Sequence, residues 1–298
     1  MTEPTDPHGP GAMGPPAYLT TREVADLLRV KERKVYDLAA AGEIPHRRIT
    51  GKLLFPVAEI RAWIDGTPAR PEARPAVLTG SHDPLLDWAV RASQSGLATL
   101  WNGSLDGLAA FAEGQAALAG LHIPEPDGWN LETLEGRGLA DAVLIAFATR
   151  ARGLLVGRGL EGRLSGVADL RGHRVVLRQP GAGAAALLDA LLREQGLSEA
   201  DIVPVADLAR TEAEAAAAVS AGEADAALGI EAMARQFALG FVPLRAERFD
   251  LLIDRRSYFT EPVQSLIAFA RSDTFRRKAE TLGGYALDET GRVRWLSP

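Results

Sequence analysis

The stretch from Arg174 to Leu192 sets the tightest limit on the fold. Arg174-Val175-Val176-Leu177 is a short apolar run of strand type. Arg178-Gln179-Pro180-Gly181-Ala182-Gly183-Ala184 is a loop with two glycines, and Leu187, Leu188, Leu191 and Leu192 keep helical spacing. The first N–H groups of a helix have no internal partner and lie at the positive end of its dipole. A strand, a glycine loop and a helix start together therefore make a seat for an anion. Many α/β turns share this layout without binding anything, so its meaning depends on the remaining chain.

The unit recurs. Val77-Leu78-Thr79-Gly80-Ser81 predicts a strand running into a loop, and His82-Asp83-Pro84 opens an amphipathic helix. A strand over 97–100, a loop over 101–104 and a helix over 105–111 follow, then a strand over 117–121. Residues 124–138 lack a pattern, and 142–147 and 153–156 predict two separate strands. Beyond the Gly181–Gly183 loop come a strand over 202–205, an Ala-rich helix over about 212–220 and a strand over 226–228. Gly229-Ile230-Glu231 opens a helix, strands are expected over 241–244 and 249–253, and a helical region begins at Val263. Repeated strand–helix units predict an α/β fold with parallel sheets. Ligands of such sheets sit outside the carboxyl ends of the strands. The loops at Ser81, at Ser104, at Gly181 to Ala184 and at Gly229-Ile230 are therefore the candidate site, facing one another across a cleft between two lobes.

With 298 residues, 47% hydrophobic and 24% charged, the chain has room for two domains or a domain and a module. It has no cysteine, which removes disulfides, thiolate metal sites and cysteine nucleophiles. Residues 1–17 are Pro- and Gly-rich, a disordered tail by composition and neither a signal nor a transit peptide. No apolar run has membrane-spanning length, and the cytoplasm is the expected compartment. The net charge of −6 argues against a chain that binds nucleic acid throughout. It is unevenly spread: 18–65 carries nine Lys/Arg against seven Asp/Glu. A weakly basic small module joined to an acidic large domain suits DNA binding confined to the N-terminal part.

That module, 18–65, begins with Thr20 and Glu23 at capping-box spacing ahead of Val24, Ala25, Leu27 and Leu28. A second helix runs from near Lys31 through Val35, Tyr36 and Leu38 to Gly42. A strand over 43–49, a turn at Thr50-Gly51-Lys52 and a returning strand over 53–55 make a hairpin, and Pro56 starts a third helix with Val57, Ile60 and Trp63. The order resembles the excisionase-like branch of the winged helix-turn-helix proteins related to MerR regulators. It is carried by 19–25, Val35-Tyr36, Gly42-Glu43-Ile44-Pro45 and Phe55-Pro56 with Ile60 and Trp63. The resemblance implies that the second helix enters the major groove of double-stranded DNA and the wing touches its backbone or minor groove. The candidate DNA-contacting residues are Thr21, Arg22, Lys31, Glu32, Arg33, Lys34, Tyr36, Arg47, Arg48 and Lys52. A solvated basic face and, for Tyr36, a place in the core are the alternatives. Operator half-sites call for two readers, so a homodimer or higher homo-oligomer is expected. Residues 66–75 are a Pro-rich charged linker.

The large domain, 76–298, resembles the type 2 periplasmic-binding-protein fold. In particular it is similar to the molybdate-binding-like domains fused to helix-turn-helix modules in prokaryotic regulators. Ser81-His82-Asp83, Gly103-Ser104-Leu105, Ala119-Gly120-Leu121-His122, Arg150 with 153–156, Arg178-Gln179 with Gly181-Ala182-Gly183, Leu228-Gly229-Ile230 and Tyr285 carry the likeness. It implies two lobes with a hinged cleft, a regulator with no cofactor and no catalytic residue, and a small oxyanion ligand, molybdate or tungstate being the usual assignment. The ligand-binding candidates are Ser81, His82, Asp83, Ser104, Leu105, Arg150, Arg178, Gly181, Gly183, Ala184, Gly229 and Ile230. Three departures work against an anion. Ala184-Ala185 stands where Thr-Arg is expected, Asp106 where a glycine is, and Glu212 or Glu214 where a histidine is. A different small metabolite, or an enzyme or carrier on the same fold, are the competing readings.

Other chemistry finds little support. His82 and His122 with Asp83 lack metal-ligand spacing, and Ser165 and Ser257 lack a base at recognisable spacing. Gly181-Ala182-Gly183 lacks the third glycine of a dinucleotide site. Arg150 and Arg178 either approach the ligand or pair with Asp83 or Glu231.

Overall fold

The computed structural model describes residues 17–65 and 73–298, and the chain divides into two compact units, Met1–Glu72 and Ala73–Pro298. The expected tail over 1–16 and most of the expected linker lie outside the described residues.

The first unit runs β1 (Tyr18–Thr20), α1 (Thr21–Leu28), α2 (Glu32–Ala40), β2 (Arg47–Ile49), β3 (Lys52–Pro56) and α3 (Val57–Ile64). Its antiparallel sheet has the order β1-β3-β2. Thr20 and Glu23 form a reciprocal capping box that starts α1, and Arg29 at φ 55° ends it. Val24, Ala25, Val35, Ala39, Ile44, Phe55 and Ile60 make the core. The strand expected over 43–49 is shorter. Pro45 has no N–H to give a ladder, and the His46 ring lies 3.0 Å from the Ile44 carbonyl, so pairing begins at Arg47.

The second unit opens with β4 (Val77–Gly80), α4 (Pro84–Ala92), β5 (Ala98–Trp101), α5 (Ser104–Ala112) and β6 (Leu118–Leu121). A short hairpin, β7 (Pro124–Glu125) and β8 (Gly128–Trp129), and α6 (Leu131–Gly136) occupy the stretch expected to be irregular. Then come β9 (Ala142–Val156), β10 (Arg174–Val176), α7 (Gly183–Glu194), β11 (Val203–Pro204), α8 (Glu212–Ser220), β12 (Ala226–Ile230), α9 (Glu231–Gln236) and β13 (Gly240–Asp254). The chain closes with α10 (Glu261–Ala270), α11 (Asp273–Leu282), β14 (Tyr285–Ala286) and β15 (Val293–Leu296). One mixed sheet joins the strands in the order β11-β10-β12-β9-β13-β6-β4-β5, with β14 and β15 also on β9.

Two corrections to the sequence reading matter for function. The pairs of strands expected over 142–147 and 153–156, and over 241–244 and 249–253, are single 15-residue strands. β9 and β13 pair antiparallel from Gly240 opposite Val156 to Asp254 opposite Ala142, with register shifts at Pro243/Arg245 and Phe249/Asp250. The expected parallel sheet is therefore mixed. β4, β5 and β6 are parallel to one another, as are β10, β11 and β12, but β9 and β13 run against their neighbours.

These two strands divide the unit into lobes. The start of β9 and the end of β13 belong to the lobe of β4, β5 and β6, while Arg152 to Val156 of β9 ladder with β12 in the other. Each lobe is covered by helices on both faces. In the first, Leu78, Leu86, Phe147, Phe249, Leu266 and Phe275 fill one face and Leu108, Phe111, Leu121 and Leu252 the other. In the second, Leu154, Val156, Leu187 and Leu191 fill one face and Leu155, Val176, Ala216 and Met233 the other. Strands covered on both sides carry nearly continuous apolar runs, as 142–148 does. Arg74, expected in the linker, is tied to the first lobe: it stacks on Phe111, donates to the Ala116 carbonyl at 3.1 Å and pairs with Asp254 at 3.2 Å.

Gly153 lies where the two long strands must come close. A Cβ there would stand 2.1 Å from the Val242 carbonyl oxygen, laddered backbone that cannot yield, and 2.9 Å from the Phe241 ring. Gly153→Ala is expected to lower stability by about 1–3 kcal/mol. Gly136→Ala, at the end of α6 with open space around it, is expected to be neutral or to stabilise by about 0.5 kcal/mol. Urea unfolding of the two variants beside the wild type checks both.

Candidate functional site

Two helix starts meet where the lobes face each other. α5 begins at Ser104 behind Gly103, whose φ of 97° glycine alone adopts without strain, and α7 begins at Gly183 behind Ala182. Neither start has a side-chain cap. The lobes touch at this point: the Leu105 N–H donates to the Gly181 carbonyl at 3.2 Å. The approach depends on missing side chains, because a Cβ on Gly183 would meet the His122 carbonyl oxygen at 2.4 Å. The buried hydroxyls of Ser81 and Ser104 lie 2.8 Å apart, and the Ser104 hydroxyl accepts from the His122 N–H at 3.1 Å. Ala184 is buried in the first turn of α7, Leu105 is partly exposed, and the Asp106 carboxylate lies against Gly181.

Beneath this contact is a buried chain of ion pairs. Arg150 and Arg152 project from β9 and Glu247 from β13, directly opposite Arg150 in the ladder. Glu247 accepts from Arg150 Nε at 2.8 Å and from Arg152 Nε and Nη2 at 2.8 and 2.9 Å, and its carboxylate lies 3.1 Å from His122 Nδ1. Toward the first lobe, Arg150 Nη1 donates to Asp83 Oδ2 at 2.8 Å, as does the Tyr285 hydroxyl at 2.9 Å, while Asp83 Oδ1 caps α4 through the Leu86 N–H. Toward the second, Arg152 Nη1 donates to both Glu212 oxygens at 2.9 and 3.0 Å, and Arg178 Nη1 reaches Glu212 at 3.0 Å. Three arginines thus face three carboxylates, and Arg150, Arg152 and Glu247 are at most 1% exposed.

The electrostatics follow from this pairing. Burial alone would raise the Glu212 and Glu247 carboxyls, but Arg152 and Arg178 bring Glu212 down to about 2, and Arg150 and Arg152 hold Glu247 well below the carboxylate range. Burial pushes His82 and His122 down, so both imidazoles are neutral near pH 7. Burial also raises the Tyr285 hydroxyl, helped by Asp83. Phe249 supports the centre, with the Arg150 guanidinium 4.3 Å from its ring centroid and the His122 ring stacked at 5.8 Å.

The structure thus brings Ser81, Asp83, Ser104, Leu105, Arg150, Arg178, Gly181, Gly183 and Ala184 to one place. His82 packs edge-on against Trp101 with its Nδ1 buried and unpartnered. Of the open alternatives for the arginines, Arg150 takes Asp83, whereas Arg178 takes Glu212, and Glu231 pairs with Arg235 instead. Gly229 and Ile230 are not loop residues. They end β12, laddered with Gly153 and Arg152, and the bare Gly229 Cα leaves room for the Leu155 side chain. Arg152 and Glu247 escaped the sequence reading. Two arginines spaced i, i+2 inside a strongly apolar stretch were the available signal, since they share one face of a strand.

In the first unit Thr20, Arg22, Glu32, Tyr36, Arg48 and Lys52 line a groove of about 420 Å³ between the start of α1, α2 and the β2–β3 hairpin. Tyr36 is 50% exposed, so it belongs to this face and not to the core, while Thr21 is buried. Lys31, Arg33 and Lys34 are exposed around the start of α2. Arg47 is engaged by Glu59 at 2.7 Å, which leaves Arg48 and Lys52 as the freer cations of the hairpin.

The chain matches the PBP superfamily domain over 88–271 and a helix-turn-helix domain over 18–67. It belongs to the PBP superfamily, as a two-lobed α/β member with an excisionase-like helix-turn-helix module fused to its N-terminal side. It is 26% identical over 299 aligned residues to the uncharacterized protein YvgK of Bacillus subtilis, covering 92% of this chain and 96% of that one. An uncharacterized protein from the ferredoxin 2Fe-2S gene 5′ region of Clostridium pasteurianum is 37% identical over 79 residues, 26% of this chain and 70% of that one. Among solved structures, a protein of Clostridium perfringens assigned as a phosphate ABC transporter substrate-binding protein, with bound phosphate, superposes with a TM-score of 0.51 at 13% identity. The match covers 69% of this chain and 96% of that one, and it shows the fold. Among the described residues no helix is long and apolar enough to cross a membrane.

His82, His122, Glu212 and Glu247 all bind protons more weakly in the folded chain than when unfolded. Their stabilisation is complete above about pH 6.5 and is lost in two stages as pH falls, first the histidines, then the carboxylates toward about pH 2. Asp250, raised by burial, works in the opposite sense. Glu247→Gln leaves Arg150 and Arg152 undercompensated and is expected to cost about 3–5 kcal/mol. Urea midpoints of wild type and variant across this pH range check both statements.

Proposed function

We propose that the protein is a ligand-responsive DNA-binding transcriptional regulator, acting in the cytoplasm as a homodimer on operator DNA. Its second unit takes a small oxyanion between the lobes, with molybdate or tungstate as the favoured ligands, and performs no catalysis. One observation carries the ligand class. Two uncapped helix starts, one from each lobe, meet beside the paired Ser81 and Ser104 hydroxyls, while the nearby arginines are already matched by carboxylates. Such a seat offers neutral donors, hydroxyl and backbone N–H, with Arg150, Arg152 and Arg178 already paired. Ala184 and Ala185 add neither hydroxyl nor charge, so Ser81, Ser104 and the N–H groups do the holding.

The Leu105–Gly181 hydrogen bond is the contact a ligand between the lobes replaces or reinforces. A ligand shifts a conformational balance only through different affinity for its two states, and a signal to the DNA-binding unit comes from that difference. Molybdate or tungstate is expected to stabilise the folded chain by about 2.7 kcal/mol at a hundred times Kd, read as a concentration-dependent rise of the thermal midpoint. Ser104→Ala should remove most of the rise. A wild type unmoved by any oxyanion would sink the ligand class.

DNA binding is expected to be sequence-specific and salt-dependent, with Arg33, Lys34, Arg48 and Lys52 on phosphates and Glu32 and Tyr36 nearer base edges. Replacing Arg33 and Lys34 with Ala should weaken binding across sequences and flatten the log–log salt slope by about 1 for each residue. Fluorescence anisotropy with operator and scrambled duplexes reads this, and an unchanged slope would move the DNA to another face.

A further inference from the structure

The cleft holds three arginines with buried side chains, more cation than a seat of neutral donors needs, and Glu212 pairs with two of them. Glu212 is 1% exposed and stands first in α8. It takes Arg152 at 2.9 Å and Arg178 at 3.0 Å. The other donors of Arg178 are also committed, Nε to the Ala209 carbonyl at 3.1 Å and Nη2 to the Arg210 carbonyl at 2.9 Å. Those of Arg152 go to Glu247. Neither guanidinium therefore has a free fork to close on a ligand. Both are nevertheless near the seat. Arg178 begins the loop whose Gly181 carbonyl receives the Leu105 N–H, and Arg152 shares Glu247 with His122, whose backbone N–H donates to the Ser104 hydroxyl.

We propose that Glu212 sets the charge selectivity of the cleft: by neutralising Arg152 and Arg178 it withholds both cations from the ligand, so that oxyanions are sorted by fit to hydroxyl and N–H donors. This inference rests on the oxyanion reading of the cleft. Loss of Glu212 would free the Nη1 donors of Arg152 and Arg178, and charged N–H donors bind any tetrahedral oxyanion, whatever its size. A freed arginine would thus add affinity for sulfate and phosphate as much as for a larger anion, and discrimination would be lost. Glu212 or Glu214 stands where the resemblance leads one to expect a histidine, and Glu212 is the one that faces the arginines. In place it acts as an internal counter-ion that does the neutralising a ligand would otherwise do.

The test compares thermal midpoints against molybdate, tungstate, sulfate and phosphate at neutral pH and constant ionic strength. Wild type, Glu212→Gln, Glu214→Gln and the double variant Glu212→Gln with Arg178→Gln are measured side by side. Glu214 is exposed on the same helix and serves as the control. The expected result is a wild type selective for the larger anions and a Glu212→Gln protein that also answers sulfate and phosphate. Their apparent Kd should fall by about tenfold or more, the usual worth of one added charge-assisted hydrogen bond. Glu214→Gln should follow the wild type. If Glu212→Gln does not fold, the charge-balanced double variant decides: selective binding retained supports the inference, and loss of all anion binding makes Arg178 a direct ligand and overturns it. A Glu212→Gln protein with the wild-type pattern also overturns it. A wild type silent to every oxyanion defeats the ligand class alone, and a sulfate response gained only in Glu212→Gln would still uphold the role of Glu212.

Discussion

The pairing of Arg150 and Arg152 with Glu247 across the two long strands is the interaction on which the second unit depends. All three groups are buried at the centre of β9 and β13, where unpaired charge would be very costly. Their geometry satisfies them mutually: one carboxylate takes donors from both guanidinium groups and from His122. From that centre the chain extends to Asp83, which caps α4 in one lobe, and to Glu212, which starts α8 in the other. The elements that present the cleft loops are thus tied electrostatically to the strands that connect them. Any change in the angle between the lobes has to keep or remake the outer pairs, Asp83–Arg150 and Arg152–Glu212.

This arrangement also accounts for one acidic residue that a typical anion-binding chain would not carry, Glu212. Taken in isolation, Glu212 opposes an anion. In the folded chain it faces two arginines and is ionised at every physiological pH, so its charge is spent within the protein. Asp106 differs, since it lies against Gly181 at the seat itself. Within the buried chain itself the three arginines and the three carboxylates balance one another.

Much of the architecture was legible in the chain. The capping box at Thr20 and Glu23, the glycine loop ahead of Leu187 and the helix start after Ser104 are local signals, because each depends on backbone groups a few residues away. The long strands were misread as pairs of short ones for a physical reason. Hydrophobic periodicity marks burial by apolar residues, and Arg150, Arg152 and Glu247 interrupt it. Only partners 95 and 97 residues distant make those charges tolerable inside. Gly229 and Ile230 failed as loop residues for a similar reason, since the ladder to Gly153 and Arg152 extends β12 past the apparent end of its apolar run.

By itself the sequence determined the order of the two units, the α/β class of the larger one, the helix-turn-helix of the smaller, and which loops carry hydroxyls and glycines. Those follow from period, caps and turn chemistry, all local in the chain. Tertiary structure alone decided that the sheet is mixed, that Arg178 takes Glu212 and not Glu231, and that the cleft's cations are already matched. Ion pairing at such separations is set by which side chains the fold brings within about 3 Å, and a buried charge has no local signature of its partner.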